Sequence, residues 1–403
     1  MKKRVVVTGL GVVSSIGMGK HEFWKNLIAG KSGISDITTF DTSDYPVHKG
    51  GEVKDFDSSK FILKDRLKNI ARASQFAIVA ATIAIEDANL KIQKNNNRKI
   101  CVLMGTTMAD VQSLEQIDKY WVKKNENDIW PINVKKYPAN NLSNHIAYHF
   151  NLSGLNFAIP AACSAGNYAI GLAFDLISIG QVDAAIVGGA DPMARTTFTG
   201  FNRLVAMAPD KCMPFDRNRK GMMIGEGAGV LVLEELESAK SRKAFIYAEI
   251  LGYGLGCDSI NMTTPHAKSI SKVLEKAIRN SSINKEEVDY VSAHGTGTFS
   301  NDKEECQALK EVFGDYIKNI PVSSIKSMLG HTMGAASALE AIACCLVIKY
   351  GVIPPTINYE TPDPECNIDC VPNIAKKQKI KIALNTSLAF GGNEACAVFG
   401  AYG

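Results

Sequence analysis

Three side chains have the type and setting for covalent chemistry: Cys163, His294 and His331. Cys163 lies in PAACSAGNYAIGLAFD (160–175), where small residues crowd one thiol and an apolar helical pattern starts directly after it. A thiol at a helix N-terminus feels the positive end of the helix dipole, which favours the thiolate, and small neighbours leave room for a bulky acyl group. The expectation is a nucleophilic cysteine with a lowered pKa. On its own, the same residue reads equally well as a small apolar core cysteine.

His294 lies in VSAHGTGTFSND (291–302), where a strand-like run delivers it into a turn of glycines and threonines. His331 lies in SSIKSMLGHTMGAASALEA (323–341), five residues after Lys326 and at the opening of a second apolar helical pattern. Glycines in such turns let a backbone or a substrate approach closely. Either histidine alone fits a structural role; two of them on Gly-rich loops, together with Cys163, fit catalysis. A fourth stretch, NTSLAFGGNEA (385–395), sets Phe390 before Gly391 and Gly392 at a strand-to-strand turn, whose backbone N–H groups suit an oxyanion hole.

The elements that must position these residues alternate in type. Short β-branched runs at 4–9, 99–105, 183–189, 229–235, 288–295 and 395–403 are interspersed with helical patterns at 71–89, 166–180 and 333–350. The helices are apolar on nearly every side, which predicts burial between layers of an α/β fold. A helix follows Cys163 and leads into a strand, and another follows His331 and does the same, so the chain reads as two copies of one unit. A division near 250 gives halves 1–250, carrying Cys163, and 251–403, carrying His294, His331 and the Phe390 turn. The charged, aperiodic stretch 119–137, KYWVKKNENDIWPINVKKY, reads as a surface excursion.

Composition narrows the class. With 403 residues, 46% apolar and 21% charged, the chain can bury a large core. Its 45 Lys and Arg against 41 Asp and Glu give no reason to expect nucleic acid. Ten cysteines without zinc-ribbon spacing point to reduced thiols and the cytoplasm. The basic start followed by VVVTGLGVVSSIG reads as a strand and a Gly-rich turn, and no uninterrupted apolar run of about 20 residues predicts a membrane span. GLG (9–11) has Ser14 where a dinucleotide fingerprint needs glycine, His145 and His149 lack a carboxylate cluster, and Cys366 and Cys370 lack a second pair. Neither a metal nor an organic cofactor is expected.

These four blocks, in this order and spacing, with PFDRNRKGMMIGEGAGVLVLEE (214–235), resemble the thiolase-fold condensing enzymes, specifically β-ketoacyl-acyl-carrier-protein synthase II and related type II ketosynthases. The resemblance covers nearly the whole chain. It implies a five-layered αβαβα fold of two duplicated βαβ-rich halves, and a decarboxylative Claisen condensation of malonyl-carrier with an acyl group held on Cys163. His294 and His331 resemble the pair that stabilises the enolate, with Lys326 and Glu305 supporting the second histidine and the histidine tautomers. Thr296 and Thr298 match positions beside the carrier's phosphopantetheine arm, Phe390 with Gly391 and Gly392 the gate, and Met108 a residue setting pocket depth. The backbone N–H groups of Cys163 and Phe390 form the implied oxyanion hole.

The implied partners are an acyl carrier protein and a second subunit, either a copy of this chain or a chain-length-factor-like protein. Lys60, Lys64, Arg66 and Lys68 are the candidate carrier-docking cations, set against the ordinary reading of a solvated helix face. TTMAD (106–110), Leu388 and Asn393-Glu394 depart from the synthase II pattern around pocket and gate, which opens an alternative: the ketosynthase subunit of a type II polyketide or polyene pathway. Two other readings are weaker. A non-catalytic partner subunit has no need of Cys163, His294 and His331, and a degradative thiolase needs a second catalytic cysteine that Cys396 does not match in its surroundings.

Overall fold

The computed structural model describes residues 2–124 and 131–403. Among these residues the main sheet has eleven strands; besides the two-residue Gly17–Met18, which pairs with the end of the first, they are β1 Val5–Ser14, β2 Ile100–Gly105, β3 Asn156–Ile159, β4 Ala184–Asp191, β5 Gly227–Glu235, β6 Ala248–Cys257, β7 Tyr290–Ser292, β8 Val322–Ser323, β9 Ile382–Leu388 and β10 Asn393–Gly400. Their spatial order is β8-β7-β9-β10-β6-β1-β5-β4-β2-β3. Counted within each group of five, both halves run first, fifth, fourth, second, third. In both, the first two pairings are antiparallel and the last two parallel. The repeat hinted at by the sequence is thus a duplicated topology. The halves join where Val5–Val7 of β1 pair with Ala248–Ile250 of β6, so residue 250 lies within the first strand of the second unit.

Five helices complete the layers: α1 Arg72–Ala88, α2 Ala165–Ser178, α3 Ala267–Asn280, α4 Phe299–Phe313 and α5 Ala336–Tyr350. α1 covers the outer face of the first group, and α3 with α4 covers that of the second. α2 and α5 lie between the two groups and touch strands of both. Enclosure on both sides explains their all-round apolar sequence; the segment Met333–Tyr350 has the length and hydropathy of a membrane span, yet 83% of it is buried in the protein. The two central helices pack closely because Gly166 leaves no side chain where a Cβ would sit 2.7 Å from the Ala338 nitrogen.

The stretch 119–137 differs from the expected loop. Residues 119–122 end the helix Val111–Val122, and a short helix spans Pro131–Lys136; positions 125–130 lie outside the described residues. Trp121 and Val122 are exposed at the helix end, so the missing apolar periodicity reflects a helix with little buried face.

Candidate active site

The duplication places the chemistry. Cys163 sits in the 3₁₀ turn Ala162–Ser164 that feeds α2, and His331 lies two residues before the equivalent turn, Met333–Ala335, that feeds α5. Both turns contain a left-handed residue, Ala162 at φ 48° and Met333 at φ 53°. Such backbone persists only where surroundings over-determine it. Ser337 supplies part of that constraint: its hydroxyl donates to the Cys163 carbonyl at 3.2 Å and accepts from the Asn167 N–H at 3.1 Å. Asn385 Nδ2 closes the network on the Ser337 carbonyl (2.8 Å) and the Asn167 side-chain oxygen (3.0 Å).

His294 follows β7, and its loop is held by Glu305 of α4. One Glu305 oxygen accepts the His294 N–H (2.7 Å) and the Thr386 hydroxyl (2.7 Å), and the other accepts the Gly295 N–H (2.8 Å). The two imidazoles face each other with centroids 5.3 Å apart and planes at 83°. His331 Nδ1 accepts the Met333 N–H at 3.2 Å, which leaves the proton on Nε2, free to be donated. Burial first, then the nearby Lys326 charge, hold both imidazoles well below 6.5. They are neutral N–H donors at pH 7.

Cys163, His294 and His331 line one cavity of about 410 Å³, shared with Thr296, Thr298 and Phe390. The Thr296 and Thr298 hydroxyls bond each other at 2.9 Å. Their turn is fixed by Arg219 of the 214–235 block, whose buried guanidinium pairs with Asp363 and donates to the carbonyls of Thr298 (3.2 Å) and Phe299 (3.1 Å). Phe390 packs against Phe201 with ring centroids 5.4 Å apart and planes tilted by 40°, on a turn where Gly391 and Gly392 adopt φ 82° and 78°.

Several sequence-based assignments change. Lys326 and Glu305 make no hydrogen bond to an imidazole ring: Glu305 holds the backbone at the first histidine, and Lys326 pairs with buried Glu340. The His331 tautomer is set instead by the Met333 N–H. The thiol also departs from expectation, because burial pushes Cys163 up to about 12 and outweighs the Lys326 charge acting to lower it. Met108 does not line the cavity; its N–H donates to Asp191 at 3.0 Å and its side chain is 38% exposed. Lys60, Lys64, Arg66 and Lys68 lie in segment 58–70 beside α1 rather than on the cavity wall, which carries Lys220. Arg66 rests on the Tyr148 ring at 4.4 Å.

Sequence reasoning missed Ser337, Asn385, Glu340 and Asp191. Asp191 ties the loop after β2 to the turn before α5, accepting N–H groups from Thr107 (2.7 Å) and Gly334 (2.7 Å). No local pattern marks Asp191, since these partners are 84 and 143 positions away.

Solved structures share this architecture. One described as the ishigamide ketosynthase/chain length factor superposes with a TM-score of 0.97 at 42% identity, covering 100% of both chains. A type II polyketide synthase ketosynthase, solved with its acyl-carrier protein and bound to a hexaketide, gives 0.93 at 33% identity, again over 100% of both. The fold is therefore the thiolase-like fold of condensing enzymes. Residues 2–239 match Beta-ketoacyl synthase, N-terminal domain, and residues 247–360 match Beta-ketoacyl synthase, C-terminal domain. The chain belongs to the β-ketoacyl synthase family. Among its relatives, a 3-oxoacyl-(acyl-carrier-protein) synthase 2 of Synechocystis sp. is 39% identical over 100% of this chain and 99% of its own length. The Staphylococcus aureus protein of the same name is 38% identical over 98% of each.

Proposed function

We propose that the chain is a β-ketoacyl-acyl-carrier-protein synthase in which Cys163 accepts the acyl group and His294 and His331 stabilise the enolate. The observation that carries this reading is the convergence of one thiol and two neutral imidazoles, from three separate loops, on a single cavity. In the first half-reaction Cys163 sulfur attacks the acyl thioester carbonyl. A C–S bond forms, the carrier thiol leaves, and it takes the proton the thiol gives up. A thiol held up to about 12 must lose that proton in step with attack. The N–H groups of Cys163 and Phe390 are the proposed donors to the tetrahedral oxyanion.

In the second half-reaction malonyl-carrier loses carbon dioxide, and the electron pair of the broken C–C bond passes into a thioester enolate. Imidazole N–H groups that donate to its oxygen stabilise charge as it develops. The enolate carbon attacks the acyl-Cys163 carbonyl, the C–S bond breaks, the Cys163 thiolate takes a proton from water, and the β-ketoacyl-carrier departs. No metal or organic cofactor enters this balance.

A second reading, a ketosynthase of a polyketide or polyene system acting with a chain-length-factor partner, is supported by the 42% identity to the ishigamide ketosynthase/chain length factor. Association in either form is favoured by β3, an edge strand paired on one side only among the described residues and carrying Phe157 at 47% exposure. The carrier is proposed to dock on surface cations, with Lys220 on the cavity wall and Lys60, Lys64, Arg66 and Lys68, beside α1 and off that wall, as candidates. Ten free cysteines support a reducing, cytoplasmic setting.

The test is intact-mass analysis of the protein with acyl-carrier and malonyl-carrier, beside Cys163→Ala, alone and with candidate partner subunits. Acylation of the wild type but not the variant, followed by β-ketoacyl product, is expected; a strict partner requirement selects the second reading. Absence of acylation under every pairing overturns both.

A further inference from the structure

We infer that the cleft wall beneath the gate turn holds an acceptor pair, Glu394 and Asp258, that binds amide N–H groups of the pantetheine arm delivering the acyl group. This rests on the condensing-enzyme reading and adds a substrate subsite to it. Glu394 is the second residue of β10 and is 1% exposed. One of its oxygens accepts the Ser269 hydroxyl at 2.7 Å, while Oε1 is buried without a hydrogen-bond partner among the described residues. Asp258 follows β6. Its Oδ1 accepts the Ile260 N–H at 3.1 Å and its own N–H donates to the Gly392 carbonyl at 3.1 Å, but Oδ2 is likewise buried and unpartnered. Both residues line the cavity that reaches Cys163.

Buried polar atoms without partners are rare in folded proteins, and two on one wall of a substrate cleft mark a place where a ligand supplies the donors. Among the described residues neither carboxylate forms an ion pair. Burial, with the Asp258 charge adding to it, outweighs the Ser269 hydroxyl bond and pushes Glu394 up to about 7. The neighbouring Thr296 and Thr298 hydroxyls already engage each other. A pantetheine arm brings secondary amides and no cation. An amide N–H entering the cleft gives up water, and an unpartnered carboxyl oxygen in its path restores that bond.

The experiment compares acylation of Cys163, read by intact mass, from two donors of the same acyl chain: an S-acyl pantetheine and an S-ethyl thioester without amides. Glu394→Leu is expected to lower the pantetheine-to-ethyl ratio of kcat/KM about tenfold, and Glu394→Gln, which keeps an acceptor oxygen, to hold it within about threefold. Because both donors meet the same folded protein, a general structural defect lowers both rates and leaves the ratio unchanged. An unchanged ratio in Glu394→Leu overturns the acceptor pair alone. Failure of the wild type to be acylated by either donor overturns the condensing-enzyme reading beneath it.

Discussion

Glu305 offers a way to separate the two half-reactions. It touches neither the thiol nor an imidazole, yet both its oxygens hold the loop that carries His294: one takes the His294 N–H and the Thr386 hydroxyl, the other the Gly295 N–H. Glu305→Gln preserves size but offers one acceptor oxygen. If that oxygen stays on His294 and Thr386, the new amide NH₂ faces the Gly295 N–H, donor against donor, in a fully buried place. A lost charge-assisted bond with an unsatisfied N–H costs about 2–3 kcal/mol, and the loop relieves it by moving. A shift of about 1 Å in a catalytic group costs on the order of 100-fold in rate. The proposed division of labour then predicts that condensation falls about 30–100-fold. Acylation of Cys163, which stands on a different loop, changes less than about threefold. Single-turnover intact mass reads both steps: acyl loading first, then β-ketoacyl product when malonyl-carrier meets the preloaded enzyme. Equal losses in both steps, or no loss in condensation, would falsify the assignment of His294 to the enolate.

Three further outcomes follow from the same geometry. With burial holding the Cys163 thiol up to about 12, its alkylation by iodoacetamide should rise close to tenfold per pH unit between about pH 7 and 9, because only the thiolate reacts; a plateau in that range sinks the argument. Lys326→Met strands Glu340 in a pocket where both partners are at most 2% exposed, at a cost of about 3–5 kcal/mol. Lys326→Met with Glu340→Leu should recover at least half of that loss in urea denaturation, and equal midpoints for the single and double variants contradict it. The imidazoles of His294 and His331 lie well below 6.5 when folded, so the unfolded chain binds more protons as pH falls through that value. Their contribution to stability is complete above about 6.5 and is lost below it, by up to about 1.4 kcal/mol per imidazole per pH unit. His331→Asn should therefore lose less stability than the wild type between about pH 7 and 5.5, and parallel losses refute the shift.

The candidate reactive residues and their local settings are legible within short stretches of the chain. Cys163 before an apolar helix, His294 after a strand, His331 before a second apolar helix and Phe390 before two glycines are all decided by neighbours within a few positions, and each occupies the expected element. The all-round apolar composition of α2 and α5 likewise fixed their place between layers. Strands β6 and β3 were harder to read. β6 is interrupted by Gly252, Gly254 and Gly256, and β3 is a four-residue edge strand with little burial, so neither shows a run of buried β-branched residues.

What surrounds the reactive atoms comes from the packing of distant segments. Glu305 acts on the backbone of His294 rather than on an imidazole ring, Lys326 is satisfied by Glu340, and Met333 sets the His331 tautomer. The thiol pKa also belongs to this level. A helix dipole can be inferred from an adjacent helical pattern, but the desolvation that overrides it depends on two halves of the chain closing over Cys163. Electrostatics and hydrogen-bond satisfaction sum over everything nearby in space, and the Ser337 and Ser269 hydroxyls that bond at Cys163 and Glu394 come from more than 100 residues away in the chain.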